Sequence, residues 1–422
     1  MHDIDKDKFK LVDPNKIFYD EQFQTQGTGY YKDAYNRFKK NKASVVAAII
    51  LIILFFLTIF GPLFSPHNSK YVNNELKEYQ LPARVQLIEK LGFLDGEKLV
   101  HKLTEGEMNE LRDLGILKKI DSIETIMGQK FYNAKVDYYK YTNHKLSQEY
   151  YLVSEDKYQR IKDKPYIIDS KIDGSVRYVK VHYFAYAFDK DDINFTPYFW
   201  FGTDMRGRDV FSNLWVGAGI SLLVAFSVSL VNIVLGIILG SIAGYYGGKL
   251  DLAMERVIEV ISGIPFMAVL TLLLLRFGNG FGVVIFAFTV TGWIGIYSMV
   301  RTQFYRYKNR EYVLAARTLG ASDIRIMSRH IFPSAIGTIV TSLVLYIPGI
   351  IFTEATYSFL GVINYGDFDS IGRMLSTGQE QMQFNPHLLI FPSIFISLLM
   401  LSFNLFGNGL RDAFNPSLRG VE

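Results

Sequence analysis

Six apolar runs of about 20 residues constrain this chain more than anything else in its sequence, because about 20 residues of helix cross roughly 30 Å of hydrocarbon. They lie at about 44–64, 220–244, 257–275, 281–300, 335–356 and 387–406. The expected fold class is therefore an all-α polytopic membrane protein with six transmembrane helices. Single ionisable residues interrupt some runs, chiefly Glu259 and Glu354. A mean hydropathy of +0.14 alongside 20% charged residues fits this reading, because apolar and charged residues are segregated along the chain. The first run is too long, and follows too much polar sequence, to be a cleaved signal peptide. A net charge of +4 is small for 422 residues and gives no support to nucleic-acid binding.

Lysines and arginines in short loops set the orientation. Lys32, Arg37, Lys39, Lys40 and Lys42 precede the first span, which places the N-terminus in the cytoplasm. Arg301, Arg306, Lys308, Arg310, Arg317, Arg325 and Arg329 follow the fourth span, which with six spans is also inside. The opposite loops are poor in positive charge: 276–280 holds only Arg276, and 357–386 only Arg373. The resulting plan is a cytoplasmic segment 1–43, a first span in 44–66, an extracytoplasmic insert 67–200, a core 201–410 with five spans, and a cytoplasmic tail 411–422.

The insert is charged and rich in tyrosine. Long loops translocate largely regardless of charge, so its lysines do not conflict with an outside location. In its first half Leu103, Glu107, Leu111, Leu114 and Leu117 stand at helical spacing. In its second half Ser175-Val-Arg-Tyr-Val-Lys-Val-His-Tyr-Phe alternates at period two, which predicts strands. The expectation is a small α+β domain. The chain has no cysteine, so this domain must fold on its core alone.

The segment 310–333 carries the functional signal. Leu314 to Leu319 favours helix, and Gly320 can take the left-handed conformation that ends it. Ser322 is placed to cap a second short helix, with Asp323 in its first turn. On that helix Ile324, Met327 and Ile331 form an apolar stripe, and Arg325 and Arg329 a basic face. Pro333 stands where the next span begins. Ala315 and Ala316 leave one side of the first helix with little bulk, so that another protein's backbone could approach.

This segment resembles the "EAA" loop of ATP-binding-cassette (ABC) importer permeases. Ala315, Ala316, Gly320 and Pro333 match at the family's spacing, whereas Leu314, His330 and Phe332 replace its Glu, Ile and Leu. Ala-Ala-Arg-x-Leu-Gly-Ala-Ser and His-Ile-x-Pro are similar to the peptide branch of the family. Further stretches resemble its second, C-type permease. These are Arg37-Phe-Lys-Lys-Asn-Lys, Gly61-Pro-Leu-Phe-Ser-Pro, Gly202-Thr-Asp-Met-Arg-Gly-Arg-Asp, Ser358-Phe-Leu-Gly and Asn404-Leu-Phe-Gly-Asn-Gly-Leu-Arg-Asp-Ala-Phe-Asn-Pro. The likeness covers about 1–66 and 200–422. A long insert after the first span resembles peptide permeases of Gram-positive bacteria.

The resemblance implies a type I ABC importer permease in the cell membrane, forming half of an oligopeptide path. Its implied partners are a second homologous permease, two cytoplasmic ATP-binding subunits, an extracytoplasmic peptide-binding lipoprotein, the peptide itself and membrane lipid. Ala315, Ala316, Arg317, Gly320, Ala321, Ser322, Asp323, Arg325 and Pro333 would couple to the ATPases. Glu354, Pro265 and Pro348 are candidates for the path, since a carboxylate in a span must be paired or wet and prolines kink helices. Glu354 could equally brace the outer loop, and Glu259 could pair with Arg256. The stretch 202–209 could be a turn held by its own Arg–Asp pairs or a substrate contact.

No Walker A loop is present: Gly244-Tyr-Tyr-Gly-Gly-Lys-Leu has the wrong spacing and lacks Ser or Thr after Lys249. The chain is thus expected to bind no cofactor, with ATP and Mg held by the partner ATPases. Nor is any metal-ligand or nucleophile constellation visible in the sequence, so the chain is not expected to be an enzyme. Two other functions fit the same sequence. One is a permease for another solute of this branch, such as nickel, glutathione or an oligosaccharide. The other is a membrane-anchored sensor or adhesion protein acting through 67–200.

Overall fold

A computed structural model of the chain describes residues 30–65, 79–86, 89, 94–174 and 176–414. Most of 1–43, the start of the insert, Ser175, and Asn415-Pro416 of the closing motif lie outside these residues.

Two helices, α1 (Tyr30–Lys40) and α2 (Lys42–Phe64), open the described chain. Asn41 separates them and its side chain accepts from the Ser44 amide, so the basic stretch is a helix of its own rather than the start of the span.

The insert then builds β1 (Glu97–Leu103), α3 (Glu105–Asp113), β2 (Leu117–Ile126), β3 (Gln129–Asp137) and α4 (Tyr138–Leu146). The same succession follows again: β4 (Tyr150–Val153), α5 (Glu155–Ile161), β5 (Ile167–Asp173), β6 (Val176–Val181) and α6 (Tyr183–Ala187). The two antiparallel sheets have matching orders, β1-β3-β2 and β4-β6-β5. Val136-Asp-Tyr-Tyr-Lys-Tyr and Val181-His-Tyr-Phe-Ala-Tyr occupy equivalent turns from the middle strand into the last helix. The insert is thus two β-α-β-β-α modules, a repeat absent from the sequence-based expectation. Tyr151 of the second module joins them: its Oη donates to Leu146 O of α4 at 2.7 Å, while its ring lies 5.5 Å from Tyr183. The helical reading of the first half holds only for α3. Thr104 and Glu107 form a capping box at its start, while Leu103 ends a strand and Leu117 begins one.

The rest is helical: α7 (Val210–Tyr246), α8 (Gly248–Ser262), α9 (Phe266–Phe277), α10 (Phe281–Tyr307), α11 (Glu311–Thr318), α12 (Asp323–Ile326), a π-helical turn (Met327–Ile331), α13 (Phe332–Phe359), α14 (Ile371–Glu380) and α15 (His387–Phe414). Among the described residues five helices are long and apolar enough to span, or six if a bent pair counts as one. The bent pair is the third apolar run: α8 and α9 meet at 73°. Pro265 lacks an N–H and disfavours helix in the residue before it, so the run breaks at 263–265 instead of continuing. The second, fourth and fifth spans extend beyond their apolar runs into polar ends.

Helices α7 and α10 pack through glycine. A Cβ at Gly236, Gly240 or Gly244 would lie 2.6 Å from Ile296 Cβ, Tyr297 O and Phe304 Cβ respectively. These three positions, four apart on one face, let two backbones meet closely, as small residues do between membrane helices.

Candidate functional site

The segment 311–331 forms a hairpin beside the ends of α7 and α10. Helix α11 ends in a paired motif around Gly320, whose φ is +79°. The Gly320 amide donates to Arg317 O at 3.0 Å and the Ala321 amide to Ala316 O at 3.1 Å. That pairing satisfies carbonyls a helix end would leave open. Ser322 occupies the cap position of α12, yet its side chain makes no cap bond. The Asp323 carboxylate reaches sideways instead: Tyr245 Oη donates to Oδ1 at 2.6 Å and Tyr246 Oη to Oδ2 at 3.3 Å. Arg317 Nη2 donates to Tyr245 Oη at 3.3 Å, and Lys308 Nζ to Gly244 O at 3.0 Å. Thus the last turn of α7 is bonded into the hairpin. The tyrosines were not foreseen; an aromatic pair just before Gly247 was the available signal.

The apolar side of the hairpin differs from the expected stripe. Ile326, Ile331, Val313 and Ala316 are buried together, whereas Ile324 is 74% exposed. A π turn adds one residue per turn from Met327 and so rotates the faces relative to an α-helix. Ala316 packs inside the chain, while Ala315 stays open. Leu319, at the tip beside Gly320, is 87% exposed. Arg325 is exposed and Pro333 lies in the first turn of α13, which follows the π turn without a break. A second anchor nearby holds α8 to α10: Arg301 meets Asp251 at 2.5 and 2.8 Å, and Tyr305 Oη donates to Asp251 at 2.6 Å. Arg256 and Glu259 do pair, at 2.6 Å.

At the opposite end of the bundle, 202–209 is a closed turn. Arg208 Nε donates to Asp204 Oδ2 at 2.8 Å, and its Nη2 also meets Asp369 in the loop before α14. Asp204 Oδ1 takes the amides of Arg206 and Arg208 as well. Asp209 caps α7 and accepts from Ser65 Oγ at 2.6 Å. Arg208→Met leaves Asp204, which is buried, and Asp369, which is largely covered, without their shared cation. We expect it to destabilise the purified chain by about 3 kcal/mol, as for other broken buried ion pairs. Thermal unfolding should show most of that loss recovered when Asp204→Asn and Asp369→Asn are added.

Glu354 is 0% exposed, so it lines no open surface of this chain. Ser358 Oγ donates to its Oε1 at 2.8 Å, and the hydroxyls of Ser221, Ser370 and Tyr365 surround the carboxylate. Helix α14 covers this part of α13, where Gly372 packs on Ala355 and Ser358. Pro348 is buried within α13, and Pro265 is exposed at the α8–α9 break.

The apolar helices and the fastened hairpin define a multi-pass membrane protein of permease type. Residues 236–420 match the model of the binding-protein-dependent transport system inner membrane component, and 29–82 that of the N-terminal TM domain of oligopeptide transport permease C. Neither match includes 83–235, where both insert modules lie. The dipeptide transport system permease protein DppC of Bacillus subtilis is 45% identical over 222 residues, 52% of this chain and 69% of that protein. OppC of the same organism, an oligopeptide transport system permease protein, is 41% identical over 220 residues, 52% of this chain and 72% of that one. Haemophilus influenzae OppC is 37% identical over 244 residues, 56% of this chain and 78% of that protein. The chain belongs to this family: it is an OppC/DppC-like permease subunit of an ABC importer.

Proposed function

We propose that the chain forms half of an oligopeptide path across the cell membrane of a Gram-positive bacterium, with both termini cytoplasmic and the insert outside. A second homologous permease completes the path, a peptide-binding lipoprotein delivers the solute, and two cytoplasmic ATPases bind the ATP and Mg. This chain binds no cofactor. The hairpin 311–331 docks into a groove on one ATPase, and its movement is passed to α7 through Tyr245 and Asp323. Such a shift changes access to the path only if ATP favours one arrangement over the other.

The observation that carries this reading is the hairpin tip. Leu319 and Ile324 expose apolar side chains on either side of a rigid glycine turn, while the inner side is bonded to the bundle. Exposed apolar side chains on a rigid scaffold suit a protein partner. The chain has no cysteine, so Leu319→Cys introduces a unique thiol. In membranes holding the whole importer, that thiol should cross-link to a subunit that hydrolyses ATP. A cysteine replacing the exposed Leu114 of the insert should not. Failure of the first with success of the second would overturn the docking assignment. Uptake of labelled oligopeptides, with glutathione and nickel as competitors, tests the solute.

A further inference from the structure

A cavity of about 360 Å³ lies where the first insert module meets the start of α15. Its polar end holds Lys98. The ammonium donates to Asn385 Oδ1 at 2.8 Å, reaches Tyr79 O and Gln80 O at 3.5 Å, and sits 4.6 Å from the Tyr138 ring centroid. All of these are neutral. Asp95 and Glu97 also line the cavity, but neither pairs with Lys98: Glu97 lies 3.3 Å from Lys135 and 3.9 Å from Lys118, and Asp95 accepts from the Glu97 amide. Burial lowers Lys98 to about 8, so at neutral pH it remains mostly charged. Among the described residues no carboxylate pairs with it, and a cation withdrawn from water without a counter-ion is costly.

The other end of the cavity is apolar and opens sideways. Ile390 and Ile394, one turn apart on α15, line it and are half-exposed on a helix long and apolar enough to span a membrane. Phe384 and Pro386 form the step between the two ends. The cavity therefore runs from an ammonium with no paired carboxylate among the described residues to an exposed apolar stripe of a spanning helix. That is the chemistry of an amphiphile with an anionic head.

We propose that this cavity binds one glycerophospholipid, with its phosphate at Lys98 and an acyl chain along Ile390 and Ile394. The bound lipid would supply the counter-ion that Lys98 lacks among the described residues and fill the seam between insert and bundle. This goes beyond the transport reading and does not depend on which solute is carried.

The test uses the full chain in nanodiscs of phosphatidylglycerol containing a trace of the same lipid with a photoreactive acyl chain. Labelling should concentrate on 384–394. Lys98→Met should reduce it about tenfold, the effect of losing one charge-assisted hydrogen bond. Ile394→Trp, at a half-exposed position of α15, should reduce it comparably by filling the acyl end. Lys171→Met, an exposed lysine of the second module, should leave it unchanged. Equal labelling by a photoreactive diacylglycerol, which lacks phosphate, would overturn the proposal. So would full protection by inorganic phosphate, which would mark a free-anion site, or unchanged labelling in Ile394→Trp.

Discussion

Gly320→Pro should reduce transport to background while the chain still inserts and folds. The residue sits at φ +79°, far from the value near −65° that proline requires. Proline also removes the amide that donates to Arg317 O, and with it the motif that reverses α11 into α12. Asp323 then loses its alignment with Tyr245, and the tip that presents Leu319 and Ile324 is displaced. The spans keep their packing, because the bonds lost belong to the hairpin. Gly320→Ala supplies the graded control. A Cβ there meets nothing within 4 Å, so its cost is the left-handed backbone alone, about 1–2 kcal/mol. Partial transport is expected. The measurement is ATP-driven peptide uptake by proteoliposomes of the whole importer, with size-exclusion profiles confirming assembly. Normal uptake in Gly320→Pro would remove the hairpin from the mechanism. A bulky charge at Ala316 is a poorer probe, since Ala316 packs within the hairpin and its replacement disrupts that packing before any partner is involved.

Gly240→Leu should abolish recovery of folded protein. A Cβ at this site would lie 2.6 Å from Tyr297 O and 3.0 Å from Val300 Cβ, so the whole side chain forces α7 and α10 apart. Backbone cannot yield as a flexible side chain does, and the cost is at least about 3 kcal/mol. Gly295→Leu, on α10 itself, is the matched control, because a Cβ there meets nothing within 4 Å. The readout is the monodisperse fraction in detergent and its unfolding temperature. Equal behaviour of the two variants would contradict the α7–α10 contact.

Much of this architecture was legible in the sequence because it follows from local properties. Each apolar run had to be helical, and the Gly320 turn was visible from a helix-favouring stretch ending in glycine. The turn at 202–209 was legible as far as Arg208 and Asp204, four residues apart. The repeat in the insert escaped because its two copies share mainly a Val-x-Tyr-aromatic-x-Tyr signature, while helix and strand patterns overlap across Leu103–Leu117.

By itself, the sequence determined which segments are helical and apolar enough to span, that a charged domain interrupts them, and that a short reversing hairpin joins two such helices. Only the tertiary structure decided what each surface touches. Asp323 finds Tyr245 across 78 positions, Arg208 finds Asp369 across 161, and three glycines of α7 meet α10 in one register. Hydropathy and turn propensity belong to a residue and its near neighbours. Burial and ion pairing depend on how whole helices are rotated and stacked, and a single π turn after Ile326 is enough to bring Ile331 onto the same buried side.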